Sequence, residues 1–187
     1  MIEFISSATR AQDYPPSEKE IVIVGRSNVG KSSFINALYK QKVAYVGKTA
    51  GKTRLLNFFN VNDEYTMLDV PGYSFAKVSA KMLMEFGRMM DEYFANRKCL
   101  KLMIQIVDIR HKPTHDDLDM IEFARENHIK VIVIANKADK LSHNKQINGA
   151  KLIAETMNVK KEDVIIFSSL QPKNRQVVLD RIKESIN

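Results

Sequence analysis

Residues 20–40 read EIVIVGRSNVGKSSFINALYK, and the fold turns on how this run is parsed. Glu20 to Val24 is a short apolar stretch ending at Gly25, the pattern of a buried strand that enters a turn. From Lys31 to about Lys40 the apolar residues fall at helical spacing. Between strand and helix, GRSNVGKS (25–32) matches G-x-x-x-x-G-K-[ST], a phosphate-binding loop. Gly25 and Gly30 permit backbone angles that a β-carbon resists, so the N–H groups from Arg26 through Ser27, Asn28 and Val29 to Ser33 can curl around a phosphate chain. Lys31 sets a cation on the β and γ phosphates, and Ser32 offers a hydroxyl to Mg²⁺. The positive end of the helix dipole adds to both.

Outward from this unit, apolar runs and amphipathic segments alternate. Strands are predicted over 53–61, 64–70, 101–109, 129–136 and 163–169, and helices over 79–97, 114–127, 144–157 and 173–185. Asn62-Asp63 is a hairpin signal, and Thr114 with Asp117 forms a capping box. The alternation predicts an α/β fold: a mostly parallel six-stranded sheet with one antiparallel edge and helices on both faces. A further β-like piece, IEFISSA (2–8), stands before it. Residues 1–19 read as that strand and its lead-in, and 20–187 as one domain. Ligands of such sheets bind beyond the carboxyl ends of the strands.

Composition narrows the class. The chain has 187 residues, with 29 Lys and Arg against 22 Asp and Glu, for a net charge of +7. That surplus points to a polyanionic partner, nucleic acid before membrane. Cys99 is the only cysteine, which excludes an internal disulfide and a cysteine zinc site. The first twenty residues lack the apolar core of a signal peptide, and runs such as VIVIA (131–135) are too short to span a bilayer. A cytoplasmic, monomeric protein with no membrane attachment is expected.

Three further motifs fall at predicted strand ends. In DVPG (69–72), Asp69 would hold Mg²⁺ through water, and beyond Val70 and Pro71 the Gly72 N–H would meet the γ-phosphate. In NKAD (136–139), Asp139 can accept from both N1–H and the 2-amino group of guanine. Adenine offers neither donor, and an unpaired buried carboxylate discriminates strongly. Asn136 would brace the loop, and the Lys137 stem would cover the base. In FSS (167–169), Phe167 and Ser168 lead to the Ser169 N–H, a donor for guanine O6. The order of the four elements identifies a guanine-nucleotide site and opposes a P-loop kinase or ATPase. A γ-phosphate sensor belongs between the first two, where KTAGKTR (48–54) offers Thr49 or Thr53 around Gly51; chemistry alone does not separate them.

Taken together, GRSNVGKSSFIN, GKTRLLNFF, DVPGYSFAKVS, IVDIRHKPTHDD, NKAD and FSS resemble the EngB (YsxC/YihA) family of bacterial ribosome-assembly GTPases, of the Era-like group. The resemblance covers nearly the whole chain. It implies a Ras-like fold, Thr53 as the switch ligand of Mg²⁺ beside Ser32 and Asp69, and nucleotide contacts from Gly51 and Lys52. It also implies a role in maturing the large (50S) ribosomal subunit, with an indirect effect on cell division and septation. Ser74 stands where the family usually has glycine, and Asn136 where some members have threonine.

Tyr73 occupies the place where many GTPases carry a water-orienting glutamine. Rate would then come from positioning and charge, with Lys31, Thr53 and Gly72 as the catalytic groups. Asn28 resembles the asparagine that holds K⁺ in potassium-dependent relatives. Hydrolysis is expected to be slow alone and stimulated by a partner. Lys48, Lys52, Arg54, Lys77, Lys81 and Arg88 flank the two switches, and Arg110, His111 and Lys112 follow another strand end. These form the expected contact with ribosomal RNA. The rival reading is a non-catalytic interaction module that guanine nucleotide merely shapes.

Overall fold

The computed structural model describes residues 1–44, 55–73 and 80–187. Thr49, Gly51, Lys52 and Thr53, with Lys48, Arg54, Ser74 and Lys77, therefore lie outside the described residues.

The strand Glu20–Gly25 (β2) is the spine of the sheet. Ile21, Val22, Ile23 and Val24 are all fully buried, and each such side chain contributes about 1.5–3 kcal/mol when removed from water. Burial on both faces is what a central parallel strand requires. β2 pairs in parallel with Tyr65–Asp69 (β4) on one side and with Leu100–Asp108 (β5) on the other. Val131–Asn136 (β6) and Val164–Ile166 (β7) extend the parallel run beyond β5. On the other side Leu56–Val61 (β3) runs antiparallel to β4. The hairpin between them turns at Asn62 and Asp63, whose φ angles of 52° and 57° place both in the left-handed region, as a tight primed turn needs.

The strand Ile2–Ala8 (β1) pairs antiparallel with β3, with a register shift between Phe4 and Ser6. It is therefore a seventh member of the same sheet, in the order β1-β3-β4-β2-β5-β6-β7. Six strands with a separate N-terminal piece were expected; the edge of β3 supplies the missing pairing.

Helices cover both faces. Lys31–Tyr39 (α1) and Arg175–Ile186 (α5) lay Phe34, Leu38, Val178 and Ile182 on Ile21, Ile23 and Ile104. Ala80–Asn96 (α2) and His115–Glu126 (α3) bring Met89, Met90, Tyr93 and Ala124 to Val22, Val24 and Met103 on the opposite face. His143–Met157 (α4) adds Ile153 and Met157 against Val133 and Ala135. The alternation of Ile21 and Ile23 against Val22 and Val24 is the two-residue period of a strand read from its two sides.

At the amino end of the sheet Glu20 is buried completely. Arg97 binds both its carboxylate oxygens, and Tyr93 donates its hydroxyl to Oε1. No described helix is long and apolar enough to cross a membrane.

Candidate nucleotide-binding site

Strands β2, β4, β5, β6 and β7 end on the same side, at Gly25, Asp69, Asp108, Asn136 and Ile166. The loop from Gly25 to Gly30 leads there into α1. Asn28 has φ 67° and Gly30 φ 96°, so the chain curls through left-handed geometry twice. A β-carbon on Gly30 would stand 2.5 Å from Asn136 Nδ2. Two loops meet at that point with no room for a side chain. Gly30 leaves α1 without a side-chain cap, and the first turn carries no acidic residue. Its opening N–H groups are thus suited to an anion.

Asp69 is buried at the end of β4, and Lys31 Nζ donates to its Oδ1. Val70 and Pro71 are buried behind it. The next two residues run alongside the phosphate loop. Tyr73 N donates to Gly25 O at 3.3 Å, Ser27 N donates to Tyr73 O at 2.8 Å, and Ser27 Oγ reaches Gly72 O at 3.1 Å. A cation that meets phosphate, a carboxylate that suits Mg²⁺ and the Ser32 hydroxyl in the first turn of α1 therefore lie on adjoining segments. Among the described residues no cluster of three or more His, Cys, Asp or Glu could cage a metal. This donor set fits an ion held by one carboxylate, hydroxyls and the nucleotide's own phosphates.

The segment after β6 is fastened to the same loop. Asn136, almost fully buried, donates through Nδ2 to Val29 O at 3.0 Å. Lys137, at φ 67°, donates to Asn28 O at 2.6 Å and pairs with Asp108 Oδ2 at 2.9 Å. Asp108 also takes a two-pronged contact from Arg110, at 2.9 and 2.7 Å. Burial opposes the Asp108 charge, but the bonds from Arg110 and Lys137 outweigh it and hold the carboxyl well below the usual carboxylate range. The register of β5 against β6 sets Asp108 opposite Asn136, which brings Lys137 within its reach.

The last loop locks onto Asp139. Ala138 N donates to Phe167 O at 3.1 Å, and Ser168 Oγ donates to Asp139 Oδ1 at 2.6 Å. The same hydroxyl accepts from the N–H groups of Leu170 and Gln171, so Ser168 ties the loop together while aiming the carboxylate. The Ser168 bond lowers the Asp139 pKa and keeps it ionised. Ser169 Oγ and Asn136 Oδ1 are buried without a hydrogen-bond partner among the described residues.

Gly25–Ser33, Asp69–Gly72, Asn136–Asp139 and Phe167–Ser169 are thus brought to one edge; Gly51, Lys52 and Thr53 are outside the described residues. Tyr73 turns the other way. It is 3% exposed, and its hydroxyl donates to Asp117 Oδ1 at 3.1 Å while accepting from Gln105 Nε2 at 3.3 Å. Burial and the neighbouring Asp117 charge raise its pKa well above the phenol range. The pairing of Asp108 with Arg110 and Lys137 and the hold of Asp117 on Tyr73 were not read from the sequence, which gave Asp117 as half of a capping box and Arg110 as an expected RNA contact.

A doubly covered, mostly parallel sheet with these four loops at its carboxyl edge defines a P-loop GTPase. Residues 20–137 match a family described as 50S ribosome-binding GTPase. The chain belongs to the EngB family of GTP-binding proteins. It is 46% identical to the probable GTP-binding protein EngB of Bacillus subtilis (strain 168) over 188 residues, covering 99% of this chain and 96% of that one. A namesake from Mycoplasma capricolum subsp. capricolum is 46% identical over 175 residues, covering 91% and 89%. A crystal structure of a probable GTP-binding protein EngB superposes with a TM-score of 0.71 at 25% identity, covering 89% of this chain and 98% of that one. A variant of Aquifex aeolicus Era bound to GDP·AlF4⁻ shares the fold at a TM-score of 0.70 and 23% identity, covering 90% and 56%. The chain is therefore a guanine-nucleotide-binding protein that hydrolyses GTP.

Proposed function

We propose that the chain is a GTP-controlled switch in assembly of the large ribosomal subunit, joining a subunit precursor with GTP and leaving after hydrolysis. The observation that carries the nucleotide half is the pair of bonds from Asn136 and Lys137 to the carbonyls of Val29 and Asn28. Through them the base-reading loop and the phosphate loop form one unit. The ribosomal half is supported by the family's description as ribosome-binding and by the +7 charge, which favours RNA.

In this reading Gly25, Arg26, Ser27, Asn28, Val29, Gly30 and Ser33 cradle the phosphates and Lys31 neutralises them. Ser32, Asp69 and Thr53 hold Mg²⁺, Gly72 donates to the γ-phosphate, and Gly51 and Lys52 flank the switch threonine. Asn136, Lys137 and Asp139, with Phe167, Ser168 and Ser169, receive guanine. The bound ion supplies charge stabilisation of the phosphates. Residues 20–187 act as one domain, monomeric and cytoplasmic, and any effect on septation follows from ribosome supply.

With Tyr73 directed into the core, no side-chain amide follows Gly72 to orient water. A group supplied in trans is worth about 10³–10⁵ in rate, so turnover is slow alone and rises on the subunit. Asn28 is exposed in the phosphate loop and serves as the K⁺ ligand. Hydrolysis that is the same in K⁺ and Na⁺, with and without subunits, removes that role.

Lysate fractionated on a density gradient with a non-hydrolysable GTP analogue or with GDP tests the whole. Co-sedimentation with large-subunit particles under the analogue alone supports the switch; equal migration in both defeats it.

A further inference from the structure

Away from the nucleotide edge, α2 and α3 enclose a second hollow of 140 Å³. Phe86 and Phe94 of α2, Met120 and Phe123 of α3, and Tyr73 line it. The four helix residues are only half-buried. Phe94 and Phe123 lie with ring centroids 4.5 Å apart, which gives the groove an aromatic wall. Among the described residues Asp116 and Asp119 line it as well.

Charge identifies the occupant. The chain as a whole is +7, yet α3 carries Asp116, Asp117, Asp119, Glu122 and Glu126 against Arg125 as its one Lys or Arg. Asp117 is consumed by Tyr73 and Thr114. Asp116 is left facing Arg26 Nε at 3.8 Å, too far for a hydrogen bond, and Asp119 faces the exposed His115 at 3.4 Å. Partial burial, with Asp117 and Asp119 nearby, raises the Asp116 pKa despite Arg26. Both carboxylates would gain from a cation, and a phosphate backbone would be repelled.

We propose that this groove docks a basic segment of a protein partner: an aliphatic or aromatic anchor enters between α2 and α3 while flanking Lys or Arg residues meet Asp116 and Asp119. Tyr73 makes the site responsive to nucleotide. Its ring lines the groove, and its backbone is bonded to Gly25 and Ser27 of the phosphate loop. A partner seated there biases the segment that the γ-phosphate would move, and by reciprocity nucleotide biases the partner. The inference rests on the GTPase assignment and is independent of the ribosomal reading.

The test uses the full chain with GDP or a non-hydrolysable GTP analogue, labelled at methionine methyl groups for NMR. The probes are a short Leu/Phe peptide flanked by Lys and Arg, the same core flanked by Glu, and a single-stranded RNA. The expected result is that the basic peptide shifts the Met120 methyl, with a Kd that differs between the two nucleotide states. Asp119→Lys, an exposed substitution outside the nucleotide site, weakens this binding by at least about fivefold and leaves GDP affinity unchanged. Met120→Glu, read by the loss of peptide binding with GDP affinity intact, checks the apolar half. No basic-peptide binding up to about 1 mM, a Kd indifferent to Asp119→Lys, or a Met120 shift caused equally by the acidic peptide or the RNA overturns the proposal.

Discussion

The Tyr73 hydroxyl donates to Oδ1 of Asp117 at 3.1 Å, while Oδ2 of the same carboxylate accepts Thr114 N and Oγ1 at 2.9 Å each. One buried side chain thus caps α3 and anchors the residue that follows Gly72. Tyr73 is a structural contact facing the core, so position 73, where many GTPases carry a water-orienting glutamine, holds a side chain turned toward Asp117. Tyr73→Phe deletes the hydroxyl while Gln105 keeps its 2.8 Å bond to Asp117 O. The expected cost is about 1 kcal/mol of stability, with kcat for GTP within about threefold of the parent. A hundredfold loss of kcat in single-turnover assays refutes this placement.

Ser168 aims Asp139. Ser168→Ala removes a charge-assisted bond, and GTP affinity is expected to fall about tenfold, with Ser168→Thr restoring most of it. Discrimination against ATP narrows at the same time, because a free carboxylate meets guanine less well. Equilibrium titration with both nucleotides reads this directly, and an unchanged ratio in Ser168→Ala contradicts it.

Asp108 links acid stability to the site. Its carboxyl is held below the ordinary value of about 3.9, so its stabilisation is complete above about pH 4 and fades as pH falls toward the lowered folded-state pKa. Asp108→Asn flattens that acid limb of the melting profile. The same variant loosens Lys137 and weakens GTP by about tenfold near neutral pH. Melting curves that keep their acid slope in the variant count against the assignment.

At the other end of the sheet Arg97→Ala strands the fully buried Glu20. An uncompensated buried charge costs about 3–5 kcal/mol. The double substitution Glu20→Gln with Arg97→Met is expected to recover much of that loss. Chemical denaturation of both variants, with GTP binding measured on the folded fraction, decides the matter. A double variant no better than Arg97→Ala would show that shape, not charge, governs the cluster.

Much of this was legible in the sequence because it is local. Asn62-Asp63 adopts the left-handed turn that its composition favours, and Thr114 and Asp117 make both halves of their capping box. The five helices among the described residues begin and end within two residues of their sequence-predicted limits. What stayed hidden depends on pairing over distance. β1 reaches β3 across some fifty residues (Ser7 lies opposite Asn57) and gives no local sign of it. The Asp108–Lys137 contact exists because β5 and β6 align in one register, and Tyr73 turns inward because α3 presents Asp117. The motif loops were readable as a set for a different reason: phosphate, metal and guanine each demand a narrow range of donors and acceptors.

The contact between Lys31 and Asp69 has a consequence for how ligand is admitted. The ammonium due to meet phosphate and the carboxylate due to meet magnesium serve as each other's counterions, so neither charge stands bare in the cleft. On the proposed reading, a nucleotide arriving with its metal trades this internal pair for two external ones. Charge is conserved in that exchange. On the same reading, a variant at Lys31 or Asp69 disturbs its partner residue as well as the ligand group it would meet.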